Sequence, residues 1–507
     1  MHSALLLDDV LRQILALCPV GCLPAVASSC QAWRDPALDG IWCHIGSLVP
    51  LLNLIPGLLC VDGVYTIASE GPIDLSIFNS YAARVKHITQ RHDTRVHPAL
   101  LSILSAPGIT ILNMLTATRL SSTDPNCLPA VLSLSPRLRQ LDLDCGFKNK
   151  GLADDGPSIY IEKLLRVASN IEAFRLRGSP NQRLNAGISQ MSNLCSLTLR
   201  TGAFLTGETL VAISAFPRLA ELHVEAGHLD IDTLTEAWPM SAPDVGCFRS
   251  LQNLRVCAQA PVLELLLKTI PPICTLRIEA TTPSASEPTV CWSRIFDLIR
   301  VNASQTLEEL TIEHHLEDID LNDTITTPGT DTHTHTSTPS TQNNRITFDI
   351  IRLLAPLRHL RHLTIDTTRM PDLCDEEVEA LATWWPGLEH LDLGALHSSE
   401  CTPGPLASSP RATLACLRAF ASSTPMLETL ILPLSIAGVS ALPSAAVSSA
   451  SAKLSRATLS SPTPPPDPAA LARYLHGFFP RLTDVEGTDR HEAEWGEVQL
   501  LLRGLHN

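Results

Sequence analysis

Four cysteines, Cys18, Cys22, Cys30 and Cys43, are the first residues whose type could do chemistry, since four thiolates close a tetrahedral zinc site. No C-x-x-C pair is present and Cys30 falls on the apolar side of a helical pattern, so zinc is not expected. His333-Thr-His335 offers two imidazoles, but no cysteine or carboxylate stands at ligand spacing, and a solvated Thr/His tract is the expectation. Asp318-x-Asp320-x-Asn322-Asp323 starts like a calcium loop. Asp323 then occupies the place that needs glycine, and Gly329 the place that needs glutamate. His491-Glu492 lacks the second histidine of a zinc-protease helix, and no phosphate-cradling glycine loop or serine elbow occurs. The expectation is a chain with no catalytic residue, no metal and no cofactor.

A different constellation survives. Arg175, Arg177 and Arg200 stand at alternating positions of two successive strand patterns, in a chain with 37 basic against 52 acidic residues. Three converging guanidiniums grip a carboxylate or phosphate in bidentate fashion. The alternative is that they pair with neighbours such as Glu172 or Glu221 on a solvated surface. They are candidate substrate-binding residues, and the acidic C-terminal half suggests a second, basic contact on the partner.

The elements that must position them recur along the chain. An apolar-x-x-apolar-x-apolar strand follows a short helical run and often a proline. Examples are Val85-Lys-His-Ile88, Leu138-Arg-Gln-Leu141-Asp-Leu143, Ile171-Glu-Ala-Phe174-Arg-Leu176 and Leu194-Cys-Ser-Leu197-Thr-Leu199, continuing to Leu482-Thr-Asp-Val485. Ile109-Thr-Ile-Leu112-Asn-Met114 is read as one of them. The shorter intervals, about 22 to 34 residues, bracket the period of a leucine-rich repeat. One unit cannot bury its own apolar side, so neighbours must stack, and the residues between the leucines line the concave face. The asparagine that usually ends such a strand is replaced, by Gly146 and Gly202 among others, which predicts irregular curvature. The fold class expected is α/β: a short three-helix module followed by an irregular leucine-rich-repeat solenoid, a horseshoe.

Composition agrees. The 507 residues are 45% hydrophobic but only 4% aromatic, and about one in six is leucine, which suits a repetitive stack. A net charge of −15 argues against nucleic acid as the main partner. The 15 cysteines fall mostly in apolar contexts, which fits a reducing compartment, cytoplasm or nucleus. No signal peptide is read at the start, where Asp8, Asp9 and Arg12 interrupt the apolar run. The stretch Ile41–Val61 carries no acid, lysine or arginine and is long enough to cross a bilayer, but Gly46, Pro50, Pro56 and Gly57 break it, so no membrane span is expected. The organisation expected is a helical module at 1–47, a connecting helix and loop at 48–80, and repeats at 81–507. Low-complexity inserts, near 322–345, 398–410 and 435–468, read as flexible loops.

In the first module Val10, Ile14 and Leu17 share one helical side, broadened by Leu11 and Leu15. A second helix is predicted to carry Leu23, Val26, Cys30 and Trp33, and Asp35-Pro36 to open a third. Three helices in about 40 residues make a tiny core with apolar surface to spare for a partner.

Leu6-Leu7-Asp8-Asp9-Val10, Ile14-Leu15-Ala16-Leu17, Leu23, Ser29-Cys30-Gln31-Ala32-Trp33 and Ile41-Trp42 resemble an F-box. With the following Leu48–Pro56 stretch, the chain is similar to fungal F-box proteins that carry leucine-rich repeats. Leu7 stands where the family usually has proline, and Ser29 where it has valine. The resemblance implies a non-catalytic substrate receptor of an SCF-type cullin–RING ubiquitin ligase, its helices docked on the ligase adaptor and its repeats holding the target. Carried over by position, Leu6, Leu7, Val10, Ile14, Leu17, Leu23, Val26 and Trp33 would form the adaptor-facing or adaptor-supporting set. The alternative is a repeat scaffold whose degenerate F-box joins no ligase.

Overall fold

The structure, a computed structural model, describes residues 7–68, 73–90, 94–105, 111–121, 128–147, 155–238, 247–281, 290–315, 346–368, 370–394, 410–436, 453–487 and 491–506. Leu6, the 322–345 insert, most of the 398–410 insert and the 437–452 part of the third lie outside them, as do His333, His335 and the loop from Asp318 to Gly329. The chain divides into two compact units, Met1–Glu225 with Glu236–Ser241, and Ala226–Thr235 with Ala242–Asn507.

The first unit begins with three helices, α1 (Asp8–Ala16), α2 (Leu23–Ser29) and α3 (Gln31–Trp42). The short helices α4 (Val49–Leu52) and α5 (Ser76–Ala82) follow. Its strands are β1 (His44–Ile45), β2 (Leu58–Val61), β3 (Val64–Ile67), β4 (His87–Gln90), β5 (Arg95–Val96), β6 (Ala117–Leu120), β7 (Gln140–Gly146), β8 (Ala173–Gly178), β9 (Ser196–Arg200) and β10 (Glu221–Glu225). Seven of these lie side by side in chain order, β1-β4-β6-β7-β8-β9-β10, every pairing parallel. β2, β3 and β5 form a separate small sheet.

The second unit continues the pattern with β11 (Asn253–Ala258), β12 (Thr275–Ala280), β13 (Glu309–His314), β14 (His362–Thr367), β15 (His390–Asp392), β16 (Thr429–Pro433), β17 (Arg456–Ser460) and β18 (Asp484–Glu486). Each pairs in parallel with the next. Parallel strands require a crossover, and a helix or helical turn supplies it, covering one side of the sheet. The repeat leucines fill the space between: Leu138, Leu143, Leu194, Leu197, Leu199, Leu307, Leu363 and Leu391 are completely buried. Burying one such side chain stabilises by about 1.5–3 kcal/mol, so the array holds by repetition of a modest gain. This is an α/β leucine-rich-repeat architecture in each unit, as the periodicity implies.

Three local expectations need correction. The sixth strand is not Ile109–Met114: residues 111–114 form a turn, and the true repeat is Leu115-Thr-Ala-Thr118-Arg-Leu120, with Thr118 buried where an apolar residue is expected. β17 lies inside the segment read as a flexible loop; its pattern is Leu454-Ser-Arg-Ala457-Thr-Leu459, with all three inward residues buried. Cys30 is extended and separates α2 from α3, so Trp33 belongs to the third helix and Pro36 lies inside it rather than at its start. Pro36 has no N–H to offer the carbonyl of Ala32, so one bond is missing from the interior of the helix. The Ile41–Val61 stretch is divided among α3, β1, α4 and β2, with Ile45, Leu48, Leu51, Leu52 and Ile55 in the core. Among the described residues no helix is long and apolar enough to cross a membrane.

The turn after the strand is also built differently. Gly146 and Gly202 have positive φ, 68° and 55°, and their amides donate to carboxylates, Gly146 to Asp144 (3.1 Å) and Gly202 to Glu225 (3.0 Å). Acidic side chains at strand ends thus do the work expected of the absent asparagine.

Candidate functional site

Two surfaces of the first unit combine the residues singled out from sequence. The first is α1. Its apolar residues span an arc wider than its own packing uses. Leu11 and Leu15 point inward, and Leu15 joins Leu23 and Ala37 in a small core, with Val26, Ala27, Cys18 and Ile41 against it. Leu7, Ile14 and Leu17 remain 58%, 42% and 88% exposed, and Val20 on the following turn 65%. Val10, Val26 and Trp33 are half-buried. Of the eight candidate adaptor residues, then, three are open to a partner, three are partly so, Leu23 is interior, and Leu6 is outside the described residues. Val20 was missed because it precedes the second helical pattern.

The helices are held in place from below. Arg84, which follows α5, reaches Asp35 at 2.7 Å and also bonds Asp39, while Arg12 on α1 bonds the same Asp39 and Asp8 at 2.7 Å. The carbonyl of Cys43 accepts from the amides of Lys86 and His87, both at 2.9 Å, and β1 pairs with β4. Trp42 packs on Tyr81 with ring centroids 4.9 Å apart. A close approach at Gly40, where an added Cβ would meet Leu23 at 2.9 Å, fits α2 against α3.

The second surface is the solvent-facing side of β7–β10. Side chains alternate, so Phe174 and Leu176 are buried while Arg175 and Arg177 point out. The register places Arg177 directly opposite Arg200, and Arg175 opposite Asp142 on one side and Thr198 on the other. Arg177 bonds Asp144 at 3.0 Å and lies 5.3 Å from the ring centroid of exposed Phe147; Arg200 stands 3.8 Å from Glu225. Glu172 and Glu221, the acids considered as partners from sequence, go elsewhere, to Arg139 (3.1 Å) and to the Ser196 hydroxyl (2.9 Å). Burial pushes the Asp142 carboxyl up, and Arg119, at 3.4 Å, and Arg175 oppose that rise. Arg119 was missed with the register of β6. A second arginine pair, Arg255 opposite Arg277, occurs on the second unit; Arg277 is turned onto Glu313.

Among the described residues no group of three or more His, Cys, Asp and Glu could hold a metal ion. Cys22, Cys60 and Cys291 are exposed and free, and burial pushes the Cys416 thiol up, away from reactivity.

No protein-family model matches the sequence, and no curated protein matches it. Among solved structures, an internalin from Listeria monocytogenes is similar at 11% identity over 86% of this chain and 88% of that one, with a TM-score of 0.34. The Rad7 and Elc1 complex in yeast is similar at 14% identity, over 76% and 86%, with a TM-score of 0.33. A leucine-rich-repeat protein of Leptospira interrogans is similar at 13% identity, over 77% and 95%, with a TM-score of 0.29.

Proposed function

We propose that the chain is a non-catalytic substrate receptor of an SCF-type cullin–RING ubiquitin ligase, working in the cytoplasm or nucleus. Its N-terminal helices dock on the ligase adaptor, and the outward sides of its repeat strands hold the protein to be ubiquitinated. The observation that carries this reading is the uncovered half of the α1 arc: Leu7, Ile14, Leu17 and Val20 are exposed on the module whose sequence resembles an F-box. Four large apolar side chains gathered on one small module mark a surface that a protein partner covers. Free thiols at exposed positions suit a reducing compartment.

The test uses the full chain expressed in its own source. Wild type retains adaptor and cullin on affinity purification. Ile14→Glu with Leu17→Glu loses both by at least about tenfold, since charge enters an apolar contact. The melting temperature stays unchanged, because both positions are exposed. A competing reading draws on the Arg84 clamp and the β1–β4 pairing: the helices would serve only to cap the sheet of a scaffold. A wild-type chain that retains no adaptor decides for that scaffold.

A further inference from the structure

We propose that the outward side of β8 and β9 is the docking site for an acidic peptide segment of the target, gripped by Arg177 and Arg200 with Arg175 beside them. This rests on the reading of the repeats as the target-holding surface. Two arginines directly opposite each other on neighbouring strands repel, with backbones only about 4.8 Å apart. An arrangement of that kind persists when something anionic completes it. The acids nearby do so only in part. Asp144 gives one oxygen to Arg177 and the other to the Gly146 amide. Glu225 gives one oxygen to the Gly202 amide and holds the other 3.8 Å from Arg200, longer than a hydrogen bond. Each carboxylate is shared with a turn that the fold itself needs.

A guanidinium has five donors in a planar fork, and these two are more than half exposed, at 54% and 56% of their side chains. They can therefore accept a carboxylate or phosphate in bidentate fashion without leaving their strands. Phe147 extends the site. The residue is 53% exposed with the Arg177 guanidinium over its ring, so an apolar side chain next to the anionic residue has a surface to rest on. The Arg255–Arg277 pair lacks these features, because Arg277 is committed to Glu313.

The experiment uses purified full-length chain without adaptor. The probes are fluorescein-labelled peptides: one alternating glutamate and leucine, the same with phosphoserine replacing one glutamate, and a lysine counterpart. The acidic peptides bind, weakening with salt, and the lysine peptide does not. Tighter binding of the phosphoserine form identifies phosphate as the natural anion; equal binding identifies carboxylate. Arg177→Ala with Arg200→Ala weakens binding at least tenfold, whereas Arg255→Ala leaves it unchanged. Asp144→Asn keeps an oxygen for the Gly146 amide but removes the competing charge, so it tightens binding several-fold. That gain is not expected of a residue with a structural role alone. Equal binding of acidic and lysine peptides, or a double variant that binds like wild type, overturns the proposal. Because no adaptor is present, a chain that binds acidic peptide yet joins no ligase separates this proposal from the ligase reading.

Discussion

Thr118 shows how one residue can both disguise a repeat and weigh on stability. It occupies the middle inward position of β6, 3% exposed, and its hydroxyl has no hydrogen-bond partner. A buried hydroxyl left unsatisfied costs about 1–3 kcal/mol, and valine has nearly the same shape without that group. Thr118→Val should therefore raise stability by about 1 kcal/mol, measured as a higher urea midpoint with an unchanged slope. A lower midpoint would mean the hydroxyl is bonded after all. The same polar residue is why sequence reading slid onto Ile109–Met114: an apolar pattern cannot find a strand whose central position is threonine. Arg119 was lost with it, so the basic patch read from sequence was short by one arginine and its Asp142 pairing. The alternation in β7–β9 was legible because its inward residues, Leu141, Leu143, Phe174, Leu176, Leu197 and Leu199, are all large and apolar.

At the scale of the element, strands were readable where buried positions are leucine and unreadable where they are small. β17 packs Ala457 between Leu454 and Leu459, a pattern that serine, threonine and proline on either side conceal. Helix boundaries failed for another reason: a proline signals a first turn, yet α3 begins five residues earlier because Cys30, not Asp35, adopts the extended backbone. Strand β15 carries a testable consequence of its neighbour. His390 lies opposite His362, ring centroids 6.1 Å apart. Burial first, and then His362, holds the His390 imidazole below its ordinary value of 6.5. The unfolded chain therefore takes up a proton that the folded chain resists. Stability from this group is complete above about pH 6.5 and declines as pH falls below it, until the folded histidine titrates too. The melting temperature of the wild type should fall between about pH 7 and pH 5.5 more steeply than that of His390→Gln. Parallel curves for the two proteins would show that His390 contributes nothing to the decline.

At the scale of the molecule, edge strands matter as much as central ones, since an edge strand presents unpaired backbone groups. At the C-terminal end the Gln499 side chain stands in for a further strand: it accepts from the Val485 amide (2.7 Å) and donates to the Thr483 carbonyl (3.1 Å). In the first unit the segment after α3 does the equivalent work, because β1 pairs with β4 and the Cys43 carbonyl receives two amides at the start of that strand. The module proposed to face the adaptor thus leads directly, through Cys43, into the strand that covers this edge. Arg84 is the side chain that joins them, 19% exposed and bonded to both Asp35 and Asp39 of α3. Arg84→Met keeps much of its length and removes both charge-assisted bonds; the one to half-buried Asp39 is worth about 1.5–3 kcal/mol and the one to exposed Asp35 less than about 1 kcal/mol. Asp39 retains Arg12, so the helices should loosen rather than unfold. Hydrogen exchange should then accelerate in residues 8–45 and at the β4 amides, with β7–β9 still protected, because opening is local when few contacts cross it. On the ligase reading proposed above, adaptor affinity should drop although Arg84 bonds α3 and not the exposed residues of α1, since a loosened α1 presents its apolar residues less often in the competent arrangement. Loss of protection across β7–β9 as well would show that the helices and the repeats unfold as one cooperative body. Unchanged protection at β4 would show that β1 alone, and not the clamp, closes that edge of the sheet.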